Sequence, residues 1–244
     1  MPHFFISSKS VNDNKITICD KENYNHIVKS LRIKIGESLL LIDENETEYT
    51  TKVESIDNRS LVANIINSEK SKRDLSYNLY LAQSPLKSDA QLTVIEKSTE
   101  LGVRGVYPIY TDNCALKKSV AVSKVEKWQK VMYEASKQCE RANIPTCYDV
   151  TDLKTLLESK KFDKILALCE RHTEISLKDY IECNPAKKDE NILIIIGPEG
   201  GFSDREFKYF KELNLPMLSL GDLILKAETA VIVTIGNIIY GYGK

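Results

Sequence analysis

Two glutamates and a lysine stand in glycine-punctuated loops, where backbone and charge can meet a ligand. Glu199 lies in Gly197-Pro198-Glu199-Gly200-Gly201; Lys226 and Glu228 follow Gly221 in Leu225-Lys226-Ala227-Glu228-Thr229-Ala230. A glutamate among bare amides and open carbonyls suits a ligand that is mainly neutral or carries a positive centre. It does not suit a polyphosphate, which wants donors only. Neither G-x-x-x-x-G-K-[ST] nor G-x-G-x-x-G occurs in these segments.

The elements that must position these residues are legible around them. Five consecutive apolar residues, Ile192 to Ile196, mostly β-branched, read as a strand buried on both faces, the kind found inside parallel sheets. Pro198 fixes its own φ, and the following glycines open backbone angles closed to other residues. Ser203 and Glu206 have capping-box spacing, so a helix starts there. Strand, bare loop and helix N-terminus place exposed backbone at the carboxyl end of a sheet, where open α/β proteins bind ligands. The competing reading of Gly200-Gly201 is a tight connection and nothing more.

A second segment repeats this order. Met217 to Leu220 reads as a short strand ending at Gly221, and a loop leads into a helix near Ala227. From Ala230 to Ile239 the chain is apolar almost all round, which predicts a helix buried in a core or a subunit interface, with Gly236 at a close helix contact. Two such loops, following successive strands, could lie side by side and enclose a small molecule.

The residues GPEGGFSDREF followed by LSLGDLILKAETA resemble the RsmE family of ribosomal RNA methyltransferases, in the SPOUT superfamily. The likeness continues in order through Pro2-His3-Phe4-Phe5, the His26 to Arg32 segment, Glu96 to Val103, Thr111-Asp112-Asn113-Cys114, and Glu134 to Pro145. It departs where the family usually carries arginines: His3, Asn113, Leu223 and Lys226 stand there instead. Losing guanidinium forks weakens phosphate contacts, since a lysine acts only as a point charge.

The resemblance implies transfer of a methyl group from S-adenosylmethionine to N3 of one uridine in small-subunit (16S) ribosomal RNA. It implies a trefoil-knotted α/β domain, a mostly parallel sheet with helices on both faces, preceded by a small PUA-like β-barrel that helps grip RNA, and a homodimer. The imide proton must leave N3 and the resulting anion be stabilised. Glu228, Lys226 and Arg141 are the expected catalytic residues; helix-end stabilisation is the competing role of Glu228, and plain surface charge that of Arg141 and Lys226. The cofactor is expected on Leu168, Ile196, Gly197, Pro198, Glu199, Gly200 and Gly201 from the first loop and its neighbours. Leu218, Ser219, Leu220, Gly221, Ile224, Leu225 and Ala230 are expected to hold it from the second. Arg32, Lys72, Arg73, Lys87 and Arg141 are the expected RNA contacts.

Composition bounds these readings. The chain has 244 residues, 28% charged and 42% hydrophobic, ordinary for a globular protein with one large or two modest domains. With 34 Lys and Arg against 35 Asp and Glu, it is not coated in basic surface, so RNA contact must come from local patches. The six cysteines are scattered without a C-x-x-C pair, and there are three histidines, so neither a disulfide framework nor a metal site is expected. No apolar stretch of transmembrane length and no signal segment is seen, and the chain reads as cytoplasmic.

Along the chain, alternating strands are expected at residues 4–6, 15–18, 38–42, 49–56 and 61–66, with a helix at 24–31 and a polar linker at 67–74. That suggests an antiparallel barrel over residues 1–70. Over 75–244 strands at 77–82, 105–110, 164–169, 192–196 and 217–220 alternate with helices at 89–101, 123–142, 152–159, 176–181, 203–213 and 227–240. The leading reading is the methyltransferase. A non-catalytic RNA-binding or ribosome-associated module that keeps the fold, and an α/β enzyme for another nucleotide, are the alternatives.

Overall fold

The computed structural model describes residues 3–243, and Pro2 of the opening motif lies outside the described residues. The chain divides into two compact units, Met1–Asp74 with Lys137–Asn143, and Leu75–Ser136 with Ile144–Lys244.

In the first unit β1 (His3–Phe5), β2 (Val11–Asn12), β3 (Lys15–Ile18), β4 (Ser38–Ile42), β5 (Thr47–Ile56) and β6 (Leu61–Lys70) form one sheet in the order β1-β4-β5-β6-β3-β2. The period-2 pattern turns Ile16, Ile18, Leu39, Leu41, Leu61 and Ala63 onto a core with Phe4 and Ile27, each at most 2% exposed. α1 (Lys21–Tyr24) starts where the Asp20 carboxylate accepts the Asn23 amide at 2.8 Å. It runs into a π turn, Asn25–Ser30, closed by the Leu31 amide donating to His26 O.

Two expectations change here. β1 pairs parallel with β4, so the sheet is mixed rather than antiparallel. Of the polar run 67–74 expected as a linker, residues 67–70 instead extend β6, with Glu69 opposite Glu48 and Lys70 opposite Thr47, and residues 71–74 lie outside regular structure. The backbone groups of residues 67–70 are satisfied by β5, so polar side chains do not prevent a strand there.

The second unit contains β7 (Asn78–Gln83), α2 (Ser88–Glu100), β8 (Gly105–Tyr110), α3 (Lys118–Val122), α4 (Val125–Gln138), β9 (Thr146–Cys147), β10 (Thr151–Asp152) and α5 (Leu153–Glu158). It continues with β11 (Lys164–Leu168), β12 (Ile175–Ser176), α6 (Leu177–Cys183), β13 (Asn191–Ile196), α7 (Asp204–Glu212), β14 (Met217–Ser219) and α8 (Ala227–Tyr242). The strands are all parallel, in the order β10-β8-β7-β13-β11-β14-β12, with β9 also on β8. β13 is buried on both faces, as its composition predicts: Ile192, Ile194 and Ile196 enter one core with Trp128 and Val231, whereas Leu193 and Ile195 enter the other with Phe210. Each such side chain contributes about 1.5–3 kcal/mol.

α4 ends at Gln138, short of the expected Ala142. Glu140 takes φ +57°, a left-handed residue that terminates a helix. The turn lets Ala142 pack with Leu40 and Ile42 in the first unit.

Candidate active site

Four neighbouring strands, β7, β13, β11 and β14, deliver their carboxyl ends to one edge, and the segments that follow them line a cavity of about 610 Å³. Lys87 and Ala90 come from beyond β7; Leu168, Cys169 and Glu170 from β11. Ile196 to Glu199, Gly201 and Phe202 come from β13, and Leu220 to Ala230 supply most of the remaining wall. The two glycine-punctuated loops are not on adjacent strands. β11 lies between them, with Leu168 in register with Ile196 on one side and Leu218 on the other.

The loop after β13 is tightly folded. The Gly201 amide donates to Pro198 O at 2.9 Å, closing a turn, and Gly201 has φ +66°. A Cβ on Gly201 would come 2.6 Å from Glu170 Oε1, and one on Gly197 would lie 3.4 Å from the Phe202 ring. Glu199 Oε1 accepts the Lys87 amide at 3.3 Å, at the start of α2. The capping box is present: Ser203 Oγ accepts the Glu206 amide at 3.2 Å, and Glu206 Oε2 accepts the Ser203 amide at 2.8 Å. Glu206 Oε1 also accepts the Asp112 amide at 3.1 Å, and Asp112 receives the Ser203 hydroxyl at 2.5 Å and the Arg205 guanidinium. The Ser203 hydroxyl, then Arg205, holds the Asp112 carboxyl below its ordinary value of 3.8.

The second loop leads to Lys226, which has extended backbone and accepts the Ala230 amide at 2.8 Å, so α8 begins there. Glu228 sits in its first turn, where the helix dipole favours a carboxylate. Lys87 and Lys226 line the cavity with Glu170, Glu199 and Glu228, a balance that disfavours phosphate. Burial, and then Glu170, pushes the Cys169 thiol up to about 12, so it is a neutral wall.

Of the expected cofactor contacts, Leu168, Ile196, Gly197, Pro198, Glu199, Gly201, Leu220, Gly221, Ile224, Leu225 and Ala230 line this cavity, as do Lys226 and Glu228. Gly200, Leu218 and Ser219 do not. Gly200 faces Asn113, and Leu218 is fully buried in the sheet core. Ala90, Cys169, Glu170, Phe202, Leu223 and Ala227 also line it and are not among the expected cofactor contacts. Phe202, Leu223 and Ala227 flank expected residues, but only the strand order brings Glu170 between the two loops.

The expected cations divide sharply. Arg141 is 5% exposed and outside the cavity lining; its guanidinium lies 3.3 Å from Asp74 and donates to Asn143 Oδ1 at 2.8 Å within the first unit. Arg141, expected to grip base or phosphate, thus engages partners of the first unit. Arg73 is likewise engaged, with Glu48 at 3.2 Å and Glu140 at 2.9 Å. Lys72 has an 87% exposed side chain, and Arg32 and Lys87 are exposed. No cluster of three or more metal-ligating side chains occurs among the described residues.

A parallel α/β unit with a ligand cavity at its carboxyl edge is the class that fold and site define. A family described as RNA methyltransferase domain matches residues 73–239, and one described as RNA methyltransferase PUA domain matches 18–66. Ribosomal RNA small subunit methyltransferase E of Mesomycoplasma hyopneumoniae is 32% identical over 235 residues, 95% of this chain and 96% of the relative. The protein of that name from Bacillus subtilis is 28% identical over 225 residues, 90% of this chain and 88% of the relative. A Legionella pneumophila methyltransferase structure, in complex with the bound cofactor SAM, superposes with a TM-score of 0.82 at 26% identity, covering 98% of this chain and 97% of that one. The chain belongs to the RNA methyltransferase family, among the ribosomal RNA small subunit methyltransferases E.

Proposed function

We propose that this chain transfers a methyl group from S-adenosylmethionine to N3 of a uridine in 16S ribosomal RNA. The observation that carries the reading is the convergence of residues 197–202 and 220–228 on one cavity with the end of β11. At about 610 Å³ the cavity falls in the size range of small-molecule sites. Its apolar walls at Leu168, Ile196, Leu220 and Leu225 fit a nucleoside, and Gly197 and Gly201 bring backbone close to it. Glu170 and Glu199 complement the positive charge of a sulfonium and an amine. The relatives' names and the SAM-bound Legionella structure support the same choice.

Bound there, the cofactor supplies an electrophilic methyl group. Glu228 accepts the imide proton, and Lys226 places an ammonium beside the charge left on the base. The apolar walls exclude water from the reacting centre. Gly200, Leu218 and Ser219 support the loops from behind, and Arg141 holds residues 137–143 in the first unit. Residues 1–70 form an RNA-binding domain and 75–244 the catalytic one, with Arg32, Lys72 and Lys87 as exposed phosphate contacts.

Homodimer formation belongs to the proposal. Leu223, Ile224 and Tyr240 are 81%, 69% and 92% exposed, and a Cβ at Gly236 would meet nothing within 4 Å. The close contact expected at Gly236 is therefore not made within the chain, and a second copy would cover α8 at Gly236 and Tyr240 together with the exposed Leu223 and Ile224 that precede it. Among the described residues no helix is long and apolar enough to cross a membrane. Action on ribosomal RNA, after which the relatives are named, supports a cytoplasmic site of action.

Calorimetry with S-adenosylmethionine, followed by transfer of its labelled methyl group to 16S RNA in small subunits, tests the function. Binding with transfer is expected. Absence of binding at millimolar cofactor would overturn it, and binding without transfer would favour a non-catalytic RNA-binding module.

A further inference from the structure

The glycine loop after β13 is braced from outside the cavity. The side-chain amide of Asn113, in the segment after β8, donates to Gly200 O and Gly201 O, each at 3.2 Å. Gly200 is close enough that a Cβ on it would come 3.2 Å from Asn113 Cβ. The neighbouring Asp112 receives the Ser203 hydroxyl and gives its own amide to Glu206. Consecutive residues of one segment thus hold the C-terminal end of the turn that shapes the cavity wall and the start of α7 that follows it. Asn113 is exposed and outside the cavity lining, so its bonds are not needed for the core.

We infer that Asn113 is a positioning residue for the cofactor loop, setting cofactor affinity through the Gly200 and Gly201 carbonyls without touching the cofactor. The inference rests on the proposed S-adenosylmethionine site. An amide offers two donors, and its nitrogen donates here to successive carbonyls. Aspartate has the same shape but offers only acceptors, so it would set oxygen against oxygen. Shape alone would make Asn113→Asp harmless; hydrogen bonding makes it at least as damaging as Asn113→Ala.

The test compares the full-length protein with Asn113→Ala and Asn113→Asp. The expected result is a roughly tenfold rise in the S-adenosylmethionine KM for alanine and a larger one for aspartate, with kcat at saturating cofactor and Tm close to wild type. Hydrogen exchange of the peptide covering residues 197–203, measured without ligand, should quicken in both variants. Wild-type exchange in both variants, or full recovery by aspartate, would overturn the inference. Failure of the wild-type protein to bind S-adenosylmethionine would overturn the site assignment instead, while the exchange measurement still decides whether Asn113 holds the loop.

Discussion

Glu170 Oε1 occupies the space where a side chain on Gly201 would begin, 2.6 Å from an ideal Cβ. Gly201 also has φ +66°, a conformation that costs a residue with a Cβ about 1–2 kcal/mol. The two effects separate experimentally. Gly201→Ala should weaken S-adenosylmethionine binding by about tenfold or more. Glu170 ends a flexible, exposed side chain that can swing aside and also faces the cofactor's positive charge. The backbone part should therefore dominate, and calorimetry on the double variant with Glu170→Ala should show no recovery. Full recovery would mean that backbone strain is unimportant.

The capping box at α7 contributes to stability independently of the ligand. Ser203→Ala removes the acceptor for the Glu206 amide and the hydroxyl that Asp112 receives. A loss of about 1 kcal/mol is expected, read as a lower denaturant midpoint with unchanged slope.

Asp112 makes part of that stability depend on pH. Its carboxyl is held below 3.8 by the Ser203 hydroxyl and Arg205 in the folded chain. The folded state therefore favours the ionised form. Its contribution is fully present above the unfolded value and is lost as pH falls through the lowered folded value. The denaturant midpoints of wild type and Asp112→Asn should differ at pH 6 and converge as pH drops below about 4. A gap that widens on acidification would contradict the assignment.

Arg141 should act as a structural residue. Its side chain is 6% exposed and that of its partner Asp74 13%. Removing Arg141 takes the cation from Asp74, which keeps the Asn143 side-chain amide at 2.6 Å, at a cost of up to about 3–5 kcal/mol. Arg141→Ala should lower Tm and activity together, and adding Asp74→Ala should recover stability. Activity lost at unchanged Tm would return Arg141 to a direct role.

Much of the site was legible because it is local in sequence. The capping box, the φ-permissive glycines and the doubly buried β13 are each written within a few residues. What local pattern does not carry is strand order. Glu170 gives no signal of its own; it enters the cavity because β11 intervenes between β13 and β14. The pairing of Arg141 with Asp74 is equally invisible to local pattern, since the partner is far away in sequence and the tertiary turn at Glu140 brings the two together. Residues 67–70 look like a linker by composition, yet their backbone pairs with β5. The arginine positions of the family are a different matter: Asn113 shows that a departure can be a replacement with its own hydrogen bonds.

Methyl transfer to N3 of a 16S uridine is tested most directly by nucleoside mass spectrometry of 16S RNA from small subunits lacking the modification. These are incubated with S-adenosylmethionine and either the wild-type protein or Glu228→Gln. The account predicts 3-methyluridine with the wild type and a loss of roughly a hundredfold or more in rate with Glu228→Gln, at near-normal cofactor binding. No 3-methyluridine with the wild type, or a methyl group on another atom, would contradict it.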